Sequence, residues 1–482
     1  SLTARSAGTD MTGGPLNESI ILDFTKHFSQ IGEVCGEEIT AEPGVYYRDF
    51  EKKTLEKGMM MPSYPASREI CAIGGMVANN SGGEKTLYYG KTENYVEKIK
   101  VVLSDGNEYE FEKLDKLELD KKIKEQNFEG EIYKKTFELL NQNYELIKKS
   151  KPKVSKNSTG YNIWHVWDKE KGEFDLSKLF VGSQGTLGIM TEATFRLVKA
   201  KSHSGLLVVF LKSLEHLPEI VKTLLPLRPI SLESFDDNTF KLAAKFFWGF
   251  AKQVGAKNFL SLAFKFLPEI LAMLTGGVPK LLVLAEFEAN NQYEVDKQIA
   301  AAREKLLPFG LKTLSANTEE KAKKYWIMRR ESFNLLRHRV KNRKTAPFID
   351  DLIVRPEYLP DFLPKLYGIL ERFKFLYTIA GHMGDGNFHV IPLMRLEREE
   401  ERAKIAPAMD EVYKLVFQYG GSISAEHNDG LIRSPYLRQM YGEEIYRIFE
   451  EIKKIFDPQN IFNPGKKVGA DLSYALSHIK KE

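Results

Sequence analysis

Three of the nine histidines stand where they can do chemistry. His382 and His389 flank a tight Gly-Asp-Gly turn in Gly381-HMGDGNFH-Val390, and His427 follows Glu426 in Ser424-AEHNDG-Leu431. Two imidazoles and a carboxylate form the ligand set of a divalent metal with an open coordination position. A further imidazole beside the carboxylate is a candidate general base, because histidine exchanges protons near neutral pH. The bland alternative, turn residues satisfying local backbone, explains one such histidine better than it explains the constellation. Asp350 and Asp351 can ligate a metal or hydrogen-bond a ligand, though such pairs more often cap or orient the chain. An anionic ligand would call for a guanidinium clamp. Trp326-IMRRESFNLLRHR offers Arg329, Arg330, Arg337 and Arg339 on an expected helix, of which Arg337 and Arg339 read as a solvated face. Arg433 is a second-rank candidate.

Four segments are dense in small and polar residues: Arg5-SAGTDMTGG, Ile73-GGMVANNSGG, Gly182-SQGTLG and Asn463-PGK. Without Cβ atoms in the way, their backbone N–H groups can approach phosphate oxygens. None matches the Rossmann fingerprint or the P-loop pattern. A nucleotide cofactor wrapped by several separate loops fits them better.

These residues must be positioned by more than one domain, because 482 residues exceed what a single core serves. Up to about residue 198 the pattern is α+β. Ile20-ILDF reads as a strand, Val96-EKIKVVLSDGNEYEF as a hairpin turning at Asp105-Gly106, and Lys113 to Ser150 as charged, solvated helix. Beyond it, apolar strands (Ser204-GLLVVFL, Leu281-LVLAEFEA, Phe348-IDDLIVRP, Phe375-LYTIAG, Phe388-HVIPLM) alternate with helices. That rhythm predicts an α/β or α+β sheet with helices on one face. Tyr441–Phe456 is a final amphipathic helix, closed by Asp457-Pro458.

Composition excludes several classes. A net charge of +4 is small for this length and gives no case for nucleic acid. Two cysteines, Cys35 and Cys71, exclude a disulfide framework, a Cys-ligated zinc and an internal iron–sulfur cluster, and suit a reducing cytoplasm. The apolar stretch Phe240–Thr275 is broken by Lys245, Lys252, Lys257, Lys265 and Pro268, too often for a membrane span. It reads first as two helices packed on a sheet, and second as a basic, aromatic-rich surface for peripheral contact with the inner membrane face.

In this order the motifs carry a resemblance. Arg5-SAGTDMTGG resembles the pyrophosphate loop of the vanillyl-alcohol-oxidase (PCMH-type) FAD-binding fold. Ile73-GGMVANNSGG, with Tyr89-Gly90 after it, is similar to the second FAD segment of that fold, and Gly182-SQGTLGIMTEAT to the third. Gly381-HMGDGNFH, Ser424-AEHNDG and Phe456-DPQNIFNPGK resemble the FAD-linked D-2-hydroxyacid dehydrogenases, which act on D-lactate, glycolate or D-2-hydroxyglutarate.

The resemblance implies an α+β fold in three parts. These are a PCMH-type FAD-binding domain over 1–198 that starts at its pyrophosphate loop, without the strands that precede it in the family, a substrate (cap) domain with an antiparallel sheet over 199–425, and a helical segment over 426–482 returning to the FAD site. It implies FAD contacts from Arg5, Gly8, Thr9, Thr12, Gly13, Ser67, Ile73, Gly74, Gly75, Asn79, Asn80, Gly82, Gly185, Gly188, Ile189 and Asn463. No histidine lies near Arg5-SAGTD, so the FAD is expected to be non-covalent. It further implies His382, His389 and Glu426 as ligands of a divalent metal, zinc being the first candidate, with His427 on the substrate hydroxyl and Arg329 on the substrate carboxylate.

The family's polar residues that mark the 2-hydroxyglutarate enzymes fall at Ile349 and Ile391, which points to a small apolar acid. D-lactate is the first choice. Electrons would pass to a quinone, a cytochrome or an iron–sulfur partner, and a homodimer is compatible. The rival expectations are an oxygen-using oxidase of the same fold and a non-catalytic FAD-binding subunit of a larger oxidoreductase.

Overall fold

The structure is a computed structural model that describes residues 1–236, 279–318, 321–329 and 342–481. The Phe240–Thr275 stretch and Arg330, Arg337 and Arg339 lie outside the described residues. The chain divides into two compact units. The first comprises Ser1–Gly83, Gly90–Ala200 and Ser422–Ile479, and the second Glu84–Tyr89, Lys201–Gly421 and Lys480–Glu482.

In the first unit β1 (Leu2–Arg5) and β2 (Ile20–Asp23) pair in parallel. Next come β3 (Glu38–Ala41), β4 (Met59–Met60), β5 (Val96–Val102), β6 (Glu108–Leu114), β7 (Trp167–Asp168), β8 (Glu173–Asp175), β9 (Ile189–Arg196) and β10 (Val198–Lys199). Six of them form an antiparallel sheet in the order β3-β9-β5-β6-β8-β7. The β5–β6 hairpin turns where expected, with Gly106 at φ +83°, a conformation that an L side chain rarely takes.

The charged stretch after β6 is more than a solvated surface. Its central helix Phe128–Gln142 starts on Asn127, whose side chain accepts from Gly130 N at 2.8 Å. It buries Ile132, Tyr133, Thr136 and Leu140 at helical spacing, and the Tyr133 ring packs on Phe111 of β6 and Phe174 of β8. The helix Leu437–Phe456 kinks at Gly442 (φ 77°) and buries Ile445, Ile448, Phe449, Ile452 and Phe456.

The second unit is built on an antiparallel sheet. Its strands are β11 (His203–Leu211), β12 (Ser231–Asp236), β13 (Leu281–Ala289), β14 (Lys312–Ala316), β15 (Lys344–Thr345), β16 (Leu352–Ile353), β17 (Leu376–His382) and β18 (Asn387–Met394). The order is β14-β11-β13-β12-β17-β18-β15, with β16 also on β18. Leu206 to Leu211 are all buried, as expected of a strand covered on both faces. Leu206, Val208, Phe210, Phe235, Leu282 and Leu284 pack against Ala322, Tyr325, Trp326 and Met328 of the helical segment 321–329. Gly205 lies on the opposite face, where an added Cβ would come within 2.8 Å of Val295 and Ile299 of the helix Gln292–Leu306. The sheet therefore carries helices on both faces, not one. Each large apolar side chain fully buried this way stabilises the unit by about 1.5–3 kcal/mol.

The expected strand from Phe348 shortens to Leu352–Ile353. Asp350 Oδ1 accepts from the Asp351 N–H at 2.8 Å and Asp351 sits at φ +65°, a local turn that breaks the pleat. No helix among the described residues is long and apolar enough to cross a membrane.

Candidate functional site

The four glycine-rich loops meet within the first unit. The Asp10 carboxylate accepts from Thr12 N at 3.0 Å, Gly14 N at 2.7 Å and Asn79 Nδ2 at 3.0 Å. The Asn79 Oδ1 in turn accepts from Gln184 Nε2 at 3.2 Å. Asn463 Nδ2 donates to the carbonyls of Gly14 (2.9 Å) and Gln184 (2.8 Å). Segments more than 400 residues apart in sequence are thus tied in one knot, and the backbones approach closely because Cβ atoms are missing. A Cβ on Gly14 would lie 2.6 Å from Gln184 Nε2, and one on Gly74 2.5 Å from Ser6 Oγ. Gly8 (φ +66°), Gly13 (φ +83°) and Gly185 (φ +66°) turn the chain in the left-handed region.

Nothing lies within 4 Å of where a Cβ on Gly75 would be, so its bare backbone faces open space in the first turn of the helix Ile73–Asn79. Such a cradle fits the phosphates of a dinucleotide. The knot includes Thr12, Asn79 and Asn463 among the expected FAD residues. Asn80 is held at φ 50° by Glu93, which accepts from its side chain at 2.9 Å. Burial opposes charge on Glu93, but His165, Lys91 and Asn80 overcome it and hold the carboxyl down at about 2. Ser67 sits in a preceding turn, its carbonyl accepting from Ile70 and Cys71. Gly188 lies where a Cβ would strike Val101 of β5 at 2.5 Å, so it serves packing.

Glu426 and His427 also belong to the first unit. Every residue from Ser422 to Gly430 is buried except His427, which is half-buried. Three buried lysines hold that loop. Lys91 Nζ donates to the Ala425 carbonyl at 2.9 Å, and Lys156 Nζ pairs with Glu426 at 3.4 Å. Lys467 donates to the carbonyls of Ser158 and Gly160, to Asn428 Oδ1 (2.5 Å) and to Asp429 (2.7 Å). Burial pushes the Lys467 ammonium below its ordinary range, and Asp429 draws it partly back. Asn428 (φ 71°) donates to the carbonyls of Asn79 and Gly182, which joins this loop to the glycine knot. Arg433 is fully buried and donates to the Asn428 carbonyl at 2.9 Å, the work of a loop brace. Glu426 and His427 each present a ligand atom, the two within 4.8 Å of one another.

In the second unit His382 ends β17 and His389 lies on β18, with the Met383–Asp385 turn and left-handed Gly386 (φ 73°) between the strands. Antiparallel pairing of Ala380 with His389 brings the two rings together, their centroids 5.3 Å apart. Each ring has a carboxylate on Nδ1: Glu233 at 2.5 Å from His382, and Asp350 at 3.1 Å from His389. A carboxylate on Nδ1 fixes the tautomer that presents the Nε2 lone pair, the habit of metal-binding histidines. Asp351 and His389 offer ligand atoms within 4.8 Å of each other, donor chemistry that fits a divalent ion, whereas His382 is not part of that group. Arg329 pairs with the same Glu233 at 2.5 Å.

Glu233, Lys91, Lys156 and Lys467 were not among the residues singled out from sequence. The signal that was present for Glu233 is an acid set within the apolar strand Ile230-SLESF.

A family model described as FAD linked oxidases, C-terminal domain, matches residues 200–467, and one described as FAD binding domain matches residues 1–112. The chain belongs to the FAD-linked oxidases. Among curated relatives of this family member, D-2-hydroxyglutarate dehydrogenase of Escherichia coli is 26% identical over 479 residues. That alignment covers 96% of this chain and 45% of the relative, so the chain spans about half that relative's length. D-lactate dehydrogenase of Anaerostipes hadrus is 26% identical over 482 residues, covering 96% of this chain and 84% of that one. The solved structure of p-cresol methylhydroxylase with substrate bound superposes with a TM-score of 0.63 at 17% identity, over 98% of this chain and 84% of that one. The fold of this FAD-linked oxidase is therefore the vanillyl-alcohol-oxidase (PCMH) type with antiparallel sheets.

Proposed function

We propose that this chain oxidises a small D-2-hydroxy acid, D-lactate to pyruvate as first choice, using non-covalent FAD and a divalent metal. The observation that carries the reading is the pair of imidazoles, His382 and His389, each backed by a buried carboxylate on Nδ1. The two relatives named above act, by their names, on D-2-hydroxyglutarate and D-lactate.

In this reading His382, His389 and Glu426 hold the ion, with Asp351 as a further donor beside His389. When bound, FAD supplies a hydride acceptor and the ion supplies a Lewis acid that makes the substrate hydroxyl more acidic. Arg329 grips the substrate carboxylate and so orients the Cα–H bond. His427 takes the hydroxyl proton as general base. Ile349 and Ile391 stand where the resembled 2-hydroxyglutarate enzymes carry polar residues and give no partner to a second carboxylate, which favours lactate over a dicarboxylate. Electrons leave to a quinone, a cytochrome or an iron–sulfur partner in the cytoplasm or at its membrane face.

Anaerobic mixing of the purified FAD protein with D- and L-2-hydroxy acids tests this, with flavin bleaching as the readout. D-lactate should bleach the flavin, L-lactate should not, and chelator should stop the reaction until metal is restored. His427→Ala should slow bleaching by about 10²–10⁴-fold with FAD still bound. Bleaching at the original rate after metal removal would sink the metal role, and rapid reoxidation by oxygen would favour the oxidase.

A further inference from the structure

We infer that Glu233 is a positioning residue that joins the metal ligand His382 to the carboxylate clamp Arg329, so that one buried carboxylate serves both. This rests on the reading in Proposed function and adds a residue that neither the sequence motifs nor the comparisons assign.

Glu233 lies on β12, opposite Leu284 of β13, on the sheet face that packs against the helical segment carrying Trp326. It is 1% exposed. A carboxylate so far from water persists only if paired and hydrogen-bonded. Its Oε1 meets His382 Nδ1 at 2.5 Å and its Oε2 meets Arg329 Nη2 at 2.5 Å. A carboxylate accepts and does not donate, so Nδ1 must be the protonated nitrogen of His382. That leaves Nε2 with the lone pair a metal requires. The same carboxylate is ion-paired through Oε2 with Arg329 Nη2, a charge contact that anchors one end of the guanidinium whose other N–H groups would meet a substrate carboxylate. The arrangement at His389 differs, because its partner Asp350 is bonded to the adjacent Asp351 N–H and belongs to a turn.

A merely structural Glu233 would neutralise Arg329 and stop there. Zinc affinity separates the two cases, since Glu233 is not itself a ligand. The experiment titrates Zn²⁺ calorimetrically into the metal-stripped FAD protein and measures KM for D-lactate with zinc restored. Flavin absorbance and thermal melts serve as folding checks. Glu233→Gln should weaken zinc binding by about 10–100-fold and also raise KM. Arg329→Met should raise KM while zinc affinity stays within about threefold, well short of the change at Glu233. Glu233→Asp keeps the charge one methylene short and should recover part of both losses, and it serves if the glutamine variant does not fold. Unchanged zinc affinity in Glu233→Gln, beside a wild type that binds zinc, overturns the inference and leaves the metal reading standing. A wild type that binds no zinc overturns both.

Discussion

The second unit carries His382 and His389 on neighbouring strands, whereas the first carries Glu426 and His427 on an irregular loop. The two places are held by different physics. On β17 and β18 the ladder sets the spacing of the rings, and only the tautomer and ring angle remain for Glu233 and Asp350 to fix. The 422–430 loop has no ladder, and Lys91, Lys156, Lys467 and Arg433 supply partners to its carbonyls and side chains. A buried loop must find such partners or pay the cost of unsatisfied backbone. Substitutions behind the strands should therefore change chemistry and spare the fold. Substitutions behind the loop should unfold it.

Lys467→Met is the largest test of that contrast. It removes the cation and leaves Asp429 as an uncompensated buried charge, which costs about 3–5 kcal/mol. Denaturant melts should show that loss together with weakened FAD retention, because Asn428 and Asp429 adjoin the glycine knot. A melt within error of wild type would mean that the loop is held by packing alone.

Asp350→Asn is the counterpart behind the strands. The amide keeps the volume and can still accept from Asp351 N, so the melting curve should hardly move. Metal affinity should fall by about 10–100-fold, because the charge behind His389 is gone. Equal losses of stability in the two variants would erase the distinction between ladder and loop.

What sequence could and could not reveal follows the same division. The glycine loops, the His382–His389 turn, the β5–β6 hairpin and the apolar strand Leu206–Leu211 are local patterns of residue type and spacing, and they were legible. The strand expected at Phe348 was not, because an Asp side chain bonded to the next backbone N–H outweighs the apolar run around it. Helices on both sheet faces were missed for a related reason, since Leu206–Leu211 is apolar throughout and its period cannot say which face is covered. The supports of the site are less legible still. Glu233 reaches His382 across 149 residues, Lys156 reaches Glu426 across 270, and Lys91 reaches Ala425 across 334. A lysine destined for burial looks in sequence like any surface lysine, and only topology gives it a partner.

The smallest effect concerns Glu286, on the second unit's sheet opposite Ser231 of β12. Burial, with Glu288 and Glu84 nearby, raises its carboxyl from 4.5 to about 8, and Ser231 Oγ bonds it at 3.2 Å. A raised carboxyl pKa means that the folded state holds a proton which the unfolded state releases. Its contribution to stability is therefore complete below about 4.5 and is lost as pH rises through about 8. Glu286→Gln, neutral at every pH, should flatten the decline in melting temperature across that window and leave the acid side unchanged. Glu93 works in the opposite sense and in a different window, since its lowered carboxyl stabilises above about 4.5 and fails as pH falls toward about 2. Melts of Glu286→Gln and wild type from pH 5 to 8 thus read one carboxyl alone, and parallel curves would show that Glu286 is charged in the folded protein.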